Sequence, residues 1–235
     1  MKRQSDKSKA GTKTSSISRI LIVLAVVFFV AGVILLMIEP IKRHNRKKIA
    51  GEALDAITNK IESADGGEIT FTVPATGNEV PGEERELIPQ EAPIEEADLI
   101  ELGAIGIISI PKIDIRYTVW DEVTEVSLRY GLCHYEESVI PGETGNATIL
   151  GHNYKDGSMF HYLGELEAGD EVCFTGVDGT KMTFYVTDSL IISADDLMSY
   201  AEGDITDSKQ LTLVTCTYEY GRTGWRRVVI CKLAE

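Results

Sequence analysis

Two side chains in the C-terminal half of the sequence have the types needed for nucleophilic catalysis, and each follows a short apolar strand. Cys216 ends the apolar run 211–216, and His152 follows the run 147–151. A cysteine nucleophile needs a proton carrier, which is most often an imidazole. A sheet that pairs these two runs would bring Cys216 and His152 to the same rim. The pair therefore predicts acyl-transfer chemistry, with a structural histidine as the alternative.

Negative charge that develops on an attacked carbonyl needs a hydrogen-bond donor, and the last strand candidate supplies two arginines. Arg226 and Arg227 stand directly before the apolar run 228–230. Successive residues of a strand point to opposite faces, so only one of the two shares the face of Cys216. The residues alone leave open which of them it is.

The remaining cysteines suggest packing or disulfides rather than metal binding. Cys173 and Cys231 lie inside apolar strand runs and are predicted to be packing residues, whereas Cys133 has no clear placement. Because the count of four is even, two disulfides are the alternative for an extracellular domain. The sequence has no Cys-x-x-Cys or His-x-x-x-His pair. It therefore predicts no metal site, and no cofactor is implied.

Residues 104–235 have the alternating, β-branched pattern of an all-β domain. Helical stretches are expected near 122–130, 158–166 and 194–201. Strand candidates lie at 105–110, 113–119, 147–150, 171–175, 181–187, 190–192, 211–216 and 225–233. Seven or eight short strands with few helices favour a closed or nearly closed barrel, with an open two-sheet sandwich as the alternative.

The N-terminal part predicts a membrane anchor and a stalk. A basic tail (1–19) precedes an uncharged apolar run (20–38), which as a helix spans about 28 Å at about 1.5 Å per residue. A cleaved signal peptide is the alternative. Residues 39–103 comprise a short amphipathic helix over 49–62 and an acidic linker over 63–101, whose prolines are expected to prevent regular structure. Basic residues flank the apolar run on both sides, so charge does not set its orientation.

The charge distribution excludes nucleic acid as a partner. The chain has a formal net charge of −14, and residues 1–48 carry 11 Lys and Arg against 2 acidic residues, whereas the rest has 12 against 35. A surface that binds phosphates needs a basic patch, and the acidic portion repels polyanions. With 43% hydrophobic residues, the chain as a whole is not disordered.

Five motifs, met in order along residues 104–235, resemble the sortase family. They are IPKIDI at 110–115, PGETGN at 141–146, GH at 151–152, TLVTC at 212–216 and an arginine followed by VVI at 228–230. The resemblance implies a closed eight-stranded barrel and a membrane-anchored cysteine transpeptidase on the surface of Gram-positive bacteria. It assigns the nucleophile to Cys216, the proton carrier to His152 and the arginine to Arg227, with Arg226 as runner-up.

The resemblance also implies substrates and topology. The enzyme is expected to cleave a Thr–Gly type bond in the sorting signal of surface proteins or pilins, and to pass the thioacyl group to a cell-wall or pilin amine. The N-terminus is expected in the cytoplasm and the barrel outside, on a single-pass membrane protein. The alternatives are a non-catalytic, disulfide-stapled surface ectodomain and a cysteine peptidase that uses water. Residues 151–160 resemble class B sortases, but the segment between 192 and 211 is shorter than the helical insertion of that class.

The stalk contains a short string that resembles a sorting signal. Residues 73–77 read VPATG, similar to the pentapeptide Leu-Pro-x-Thr-Gly that many sortases cleave. The string is interpreted either as a pseudo-substrate that occupies the groove or as a chance occurrence in a linker.

Overall fold

One long helix contains both the apolar run and the amphipathic segment after it. In the computed structural model, helix α1 extends over Lys13–Glu62 and includes Pro40, where the sequence predicted two separate helices. The apolar side chains between Leu21 and Ile41 are exposed. By length and composition this helix is a candidate membrane span, although core helices and signal sequences meet the same criterion. The structure describes residues 13–63, 69–75, 99–201, 207–221 and 224–234.

The chain divides into two compact units, 1–45 and 46–235, and the strands lie in the second. The strands of the described ranges are β1 (Ile69–Pro74), β2 (Leu99–Ile110), β3 (Ile115–Trp120), β4 (Leu132–His134), β5 (Gly145–Leu150), β6 (Glu171–Gly176), β7 (Lys181–Ser193), β8 (Lys209–Cys216) and β9 (Trp225–Leu233). The described ranges also contain two short α-helices, α2 (Glu125–Tyr130) and α3 (Leu197–Ala201), and three 3-10 helices, Pro111–Ile113, Leu163–Glu165 and Ala194–Asp196.

Eight of these strands close into a barrel. Their order is β2-β3-β4-β5-β8-β9-β7-β6, and β6 pairs back with β2. The prediction of a closed eight-stranded barrel is confirmed, and the sandwich alternative is excluded. The two strands predicted over 181–187 and 190–192 form the single strand β7, with a bulge between Val186 and Asp188. Strand β4 was not predicted, because three residues are too few to show a period.

Strand β1 is an additional strand outside the closed barrel. It pairs with residues 99–104 of β2, while β6 pairs with residues 106–109 along the same edge. The expectation that the prolines prevent regular structure throughout 63–101 is therefore wrong for residues 69–74 and also for residues 99–101, which begin β2. The alternating apolar residues of β1 find a free strand edge, and Pro74 stands at the strand end, where a missing N–H is tolerated. Residues 64–68 and 76–98 of the linker, including Pro81, Pro89 and Pro93, lie outside the described residues.

Apolar side chains are buried on both faces of the sheet. Leu213 of β8 and Val229 of β9 belong to the cluster inside the barrel. Val214 and Val228, each one position away, belong to a second cluster that also contains Ile57 of α1 and residues of β1 and α2. Because neighbouring residues alternate, this second cluster defines an outer face that is covered rather than solvated. The two clusters together fix the register of β8 and β9.

None of the four cysteines, all of which lie in the described residues, forms a disulfide, so the two-disulfide framework that the cysteine count allowed is not formed. Cys231 lies in the barrel interior, as the packing prediction required, and Cys133 is buried in the outer cluster. Burial raises the pKa of the Cys231 thiol to about 12 and raises the pKa of Cys133 further. Cys173 is only partly buried.

The role of β1 is testable by truncating Val73, which is fully buried in the outer cluster. Val73→Ala is expected to lower the free energy of unfolding by about 2 kcal/mol, because two buried methyl groups are lost. Urea unfolding of the full chain in detergent, followed by tryptophan fluorescence, measures this. The control Thr72→Ala changes an exposed residue of the same strand, with an expected effect within about 0.5 kcal/mol. Equal midpoints for the two variants would contradict the assignment of β1 to the folded unit.

The cysteine environments predict selective alkylation. Only the thiolate reacts, and a raised pKa keeps the Cys133 and Cys231 thiols neutral at pH 7 to 8. Iodoacetamide is therefore expected to leave these two unlabelled in the folded chain and to label them in urea, as read by peptide mass spectrometry. Cys173, which is partly exposed, is the labelled internal control. If Cys231 were labelled as fast as Cys173, its side chain would not be buried as described.

Candidate active site

A parallel pair of strands brings Cys216 and His152 to the same end of the sheet. Strand β5 pairs with β8 in a register that places Leu150 opposite Val214. His152 follows Leu150 by two residues, as Cys216 follows Val214, so the two stand at the same level. Both residues are buried: His152 is 3% exposed and Cys216 is 8% exposed. The expected juxtaposition of the two strands is thus observed.

Hydrogen bonds continue this pairing beyond the last residue of β5. The Gly151 N–H donates to the Val214 carbonyl at 3.1 Å, and the Thr215 hydroxyl donates to the Gly151 carbonyl at 2.6 Å. A Cβ on Gly151 would lie 2.5 Å from the Leu132 side chain and 2.6 Å from the ring of Phe160. A larger residue would therefore displace the backbone that carries His152, which gives a physical reason for the Gly-His pair.

The antiparallel pairing of β8 with β9 distinguishes the two arginines. Cys216 stands opposite Arg226, and Thr215 stands opposite Arg227. Directly opposed residues share a face of the sheet, so Arg226 lies on the face of Cys216 and Arg227 on the other. The resemblance had favoured Arg227 because it directly precedes the apolar run. The register instead places Arg226, the runner-up, beside Cys216.

A narrow cleft of about 30 Å³ lies between these groups. His152, Cys216 and Arg226 line it together with Leu128 of α2. Arg226 is 3% exposed, and its guanidinium donates to the Trp225 carbonyl at 3.1 Å. A thiol, an imidazole and a guanidinium thus line one small cleft, and these are the kinds of group that acyl transfer uses.

Asn153 connects the two strand ends. Its amide nitrogen donates to the Cys216 carbonyl at 2.7 Å, and its amide oxygen lies 2.7 Å from His161 Nδ1. Since the amide oxygen can only accept, His161 Nδ1 is the donor in this arrangement. The Phe160 N–H in turn donates to the His152 carbonyl at 3.0 Å. Sequence reasoning did not assign these roles to Asn153 and His161, because they depend on loop geometry.

A second cavity, of about 310 Å³, lies on the other side of Cys216. Arg227 lines it and pairs with Glu219 of the loop after β8. Arg227 also donates to the Ser189 hydroxyl at 3.4 Å. The remaining polar lining of the cavity includes Lys155 and His161. This cavity is wider and more polar than the cleft between Cys216 and His152.

The string at 73–77 is only partly described. Val73 and Ala75 are fully buried, and the Pro74 carbonyl accepts a hydrogen bond from the Tyr130 hydroxyl at 3.0 Å. These three residues line neither cavity beside Cys216. Thr76 and Gly77 lie outside the described residues. The described part of the string therefore belongs to the fold and does not occupy the site.

Metal ligation is a separate question. Among the residues that the structure describes, no group of three or more His, Cys, Asp or Glu side chains could hold a metal ion.

Comparisons with known proteins identify the family and the fold. A family model described as "Sortase domain" matches residues 108–234. Sortase D of Bacillus subtilis is 29% identical over 121 residues, which cover 52% of this chain and 58% of that protein. The chain thus spans less than two thirds of that relative.

Solved structures show the same fold. A Clostridium perfringens Sortase D5 transpeptidase is 28% identical, with a TM-score of 0.50 over 56% of this chain and 79% of that one. Sortase A from Corynebacterium diphtheriae, at 22% identity, has a TM-score of 0.51 over 79% of this chain and 84% of that one. These relatives carry different class letters and leave the subclass open.

The family model covers more than half of the chain and contains β5, β8 and β9 in full. The closed barrel and the cysteine at the end of β8 are what the five sequence motifs implied. The chain belongs to the sortase family, whose members are cysteine transpeptidases that anchor or polymerise surface proteins.

Proposed function

We propose that this chain is a membrane-anchored transpeptidase with Cys216 as its nucleophile. The observation that carries the proposal is the shared level of Cys216, His152 and Arg226 at one end of the sheet. The Cys216 thiolate attacks the Thr–Gly carbonyl of a sorting signal in a surface protein or pilin. His152 gives its proton to the departing glycine amine, which leaves a thioacyl enzyme. An amine from a cell-wall peptide or a pilin lysine then attacks the thioester and releases Cys216.

The arginine beside the thiol has an electrostatic role in this proposal. Arg226 holds hydrogen-bond donors close to the carbonyl oxygen that gains negative charge during attack. Its buried guanidinium is already fixed before substrate binds, so little reorganisation is needed. Arg227, which the resemblance favours, is the competing assignment and reaches the second cavity instead.

The two cavities suggest separate places for the two substrates. A cleft of about 30 Å³ holds a water molecule but not a pentapeptide, so binding of the sorting signal requires apolar lining residues such as Leu128 to move while Arg226 stays in place. The second cavity, of about 310 Å³, also reaches Cys216 and is wide enough for an amine-bearing side chain. We therefore place the acceptor amine on that side of Cys216.

Helix α1 supports a location in the cell membrane. We propose a single crossing near 20–38, with the N-terminus in the cytoplasm and the barrel outside. A barrel on the outer surface would meet sorting signals of exported proteins and amines of the cell wall. The rival function, a cysteine peptidase that uses water, differs only in the acceptor.

Replacing the nucleophile tests the proposed function. Cys216→Ala is expected to abolish cleavage of a Leu-Pro-x-Thr-Gly peptide and to eliminate the thioacyl adduct seen by intact mass, because no other thiol lies at the site. Cys173→Ala, at a partly exposed position of β6, is the matched control and should retain turnover. Product analysis with and without added amine separates transfer from hydrolysis. Full turnover by Cys216→Ala would end the proposal.

The arginine assignment is tested by paired substitutions. Arg226→Ala is expected to lower turnover about 100-fold to 1000-fold, the usual effect of removing an oxyanion donor. Arg226→Lys should also be impaired, because an ammonium does not reproduce the planar fork. Arg227→Ala should stay within a few-fold of wild type in steady-state cleavage of the peptide. The reverse ranking would show that Arg227 is the catalytic arginine.

A further inference from the structure

The last part of helix α1 contacts the loop that follows the active-site histidine. Arg46 lies with its guanidinium carbon 3.6 Å from the ring centroid of Tyr154. The same guanidinium forms an ion pair with the Asp156 carboxylate at 2.8 Å. The Arg46 side chain is 16% exposed and that of Asp156 is 10% exposed. This double contact is therefore largely shielded from solvent, unlike an ordinary surface ion pair.

Tyr154 also contacts His152. The rings of Tyr154 and His152 have centroids 4.7 Å apart and are inclined at 52°. This spacing falls within the range of favourable aromatic contacts. Arg46, Tyr154 and His152 thus form a continuous series of contacts from the helix to the candidate active site.

The loop itself is held at its acidic end. The Asp156 carboxylate accepts hydrogen bonds from the Ser158 hydroxyl at 2.5 Å and from the Ser158 N–H at 3.1 Å. Burial alone would raise the pKa of Asp156, but these bonds and the charges of Arg46 and Lys47 together lower it. Asp156 therefore stays ionised near neutral pH and presents a fixed anion to the helix.

Arginine suits this position better than the lysines beside it. Its planar group stacks on an aromatic face and pairs with a carboxylate at the same time. Lys47 reaches Asp156 only at 3.5 Å and is half exposed. Lys48 pairs with Glu52 of its own helix, and both side chains are more than half exposed.

We propose that Arg46 is a positioning residue for His152, acting through Tyr154 and Asp156. The inference rests on the proposed function, in which His152 carries the proton. Arg46 lies outside the segment that the sortase family model matches, so the active site includes a component from the membrane-proximal helix. It lines neither cavity beside Cys216, and its effect is on the orientation of the imidazole rather than on substrate contact.

The test uses the full chain in detergent micelles and steady-state cleavage of a Leu-Pro-x-Thr-Gly peptide. Arg46→Ala is expected to lower kcat about 10-fold, because a misplaced proton carrier slows the chemical step. KM should stay within about twofold, since no group near the substrate is removed. Lys48→Ala removes a basic side chain one half-turn away on the same helix and is the matched control. It should leave both constants unchanged.

A second measurement reads the histidine directly and does not depend on turnover. In a chain with isotope-labelled histidine, the His152 ring resonance is identified by its absence in His152→Gln. Arg46→Ala should shift this resonance and leave those of His134 and His161 in place. Tyr154→Leu removes the intervening ring, so adding Arg46→Ala to it should cause little further change in kcat. A general loss of structure would instead move all histidine resonances together.

The outcomes separate this inference from the proposed function. Turnover by Cys216→Ala would overturn the proposed function itself. If Cys216→Ala is inactive while Arg46→Ala matches Lys48→Ala in kcat and in the His152 resonance, only the positioning role is overturned. Additive effects of Arg46→Ala and Tyr154→Leu would likewise contradict a path through the tyrosine.

Discussion

The backbone pairing of β8 with its two neighbours is the constraint on which the active site depends. A parallel register with β5 sets the level of His152, and an antiparallel register with β9 sets the level and face of Arg226. A slip of one residue would turn each side chain to the other face. Such a slip is opposed by apolar side chains on both faces of β8, with Leu213 directed to the inner cluster and Val214 to the outer one.

The outer cluster explains why the site lies under cover rather than on an open sheet. Helix α2 contributes Leu128 to the cleft, and the outer cluster includes residues from α1 and β1 as well. Burying a guanidinium such as that of Arg226 costs free energy, and this cost is offset by the packing of the surrounding strands. A guanidinium that is held in place before substrate arrives stabilises developing charge without reorganising, which is the advantage of such burial.

The folded unit is larger than the segment by which the family is recognised. The family model begins at residue 108, inside β2, whereas the unit begins at Arg46. The first half of β2, strand β1 and the last turns of α1 bury apolar residues such as Ile57 and Val73 against the barrel. The segment between the apolar run and the family-model segment is therefore, in its described parts, part of the fold and not only a spacer.

The sequence alone predicted the apolar helix, the closed barrel and the two strand ends that carry Cys216 and His152, because these depend on periodicity and on residues next to each other in the chain. It did not predict β1, because the surrounding prolines and acidic residues indicated a linker. The strand forms by pairing with the edge of β2, which is a tertiary contact. It also could not choose between Arg226 and Arg227 by its own pattern; the family motif favours Arg227, which stands opposite Thr215, whereas Arg226 stands opposite Cys216. The contacts of Asn153 with Cys216 and of Arg46 with Tyr154 join residues far apart in the chain. Only the tertiary structure decided them, because which distant groups meet is set by strand register and by the packing of the helix, not by local sequence.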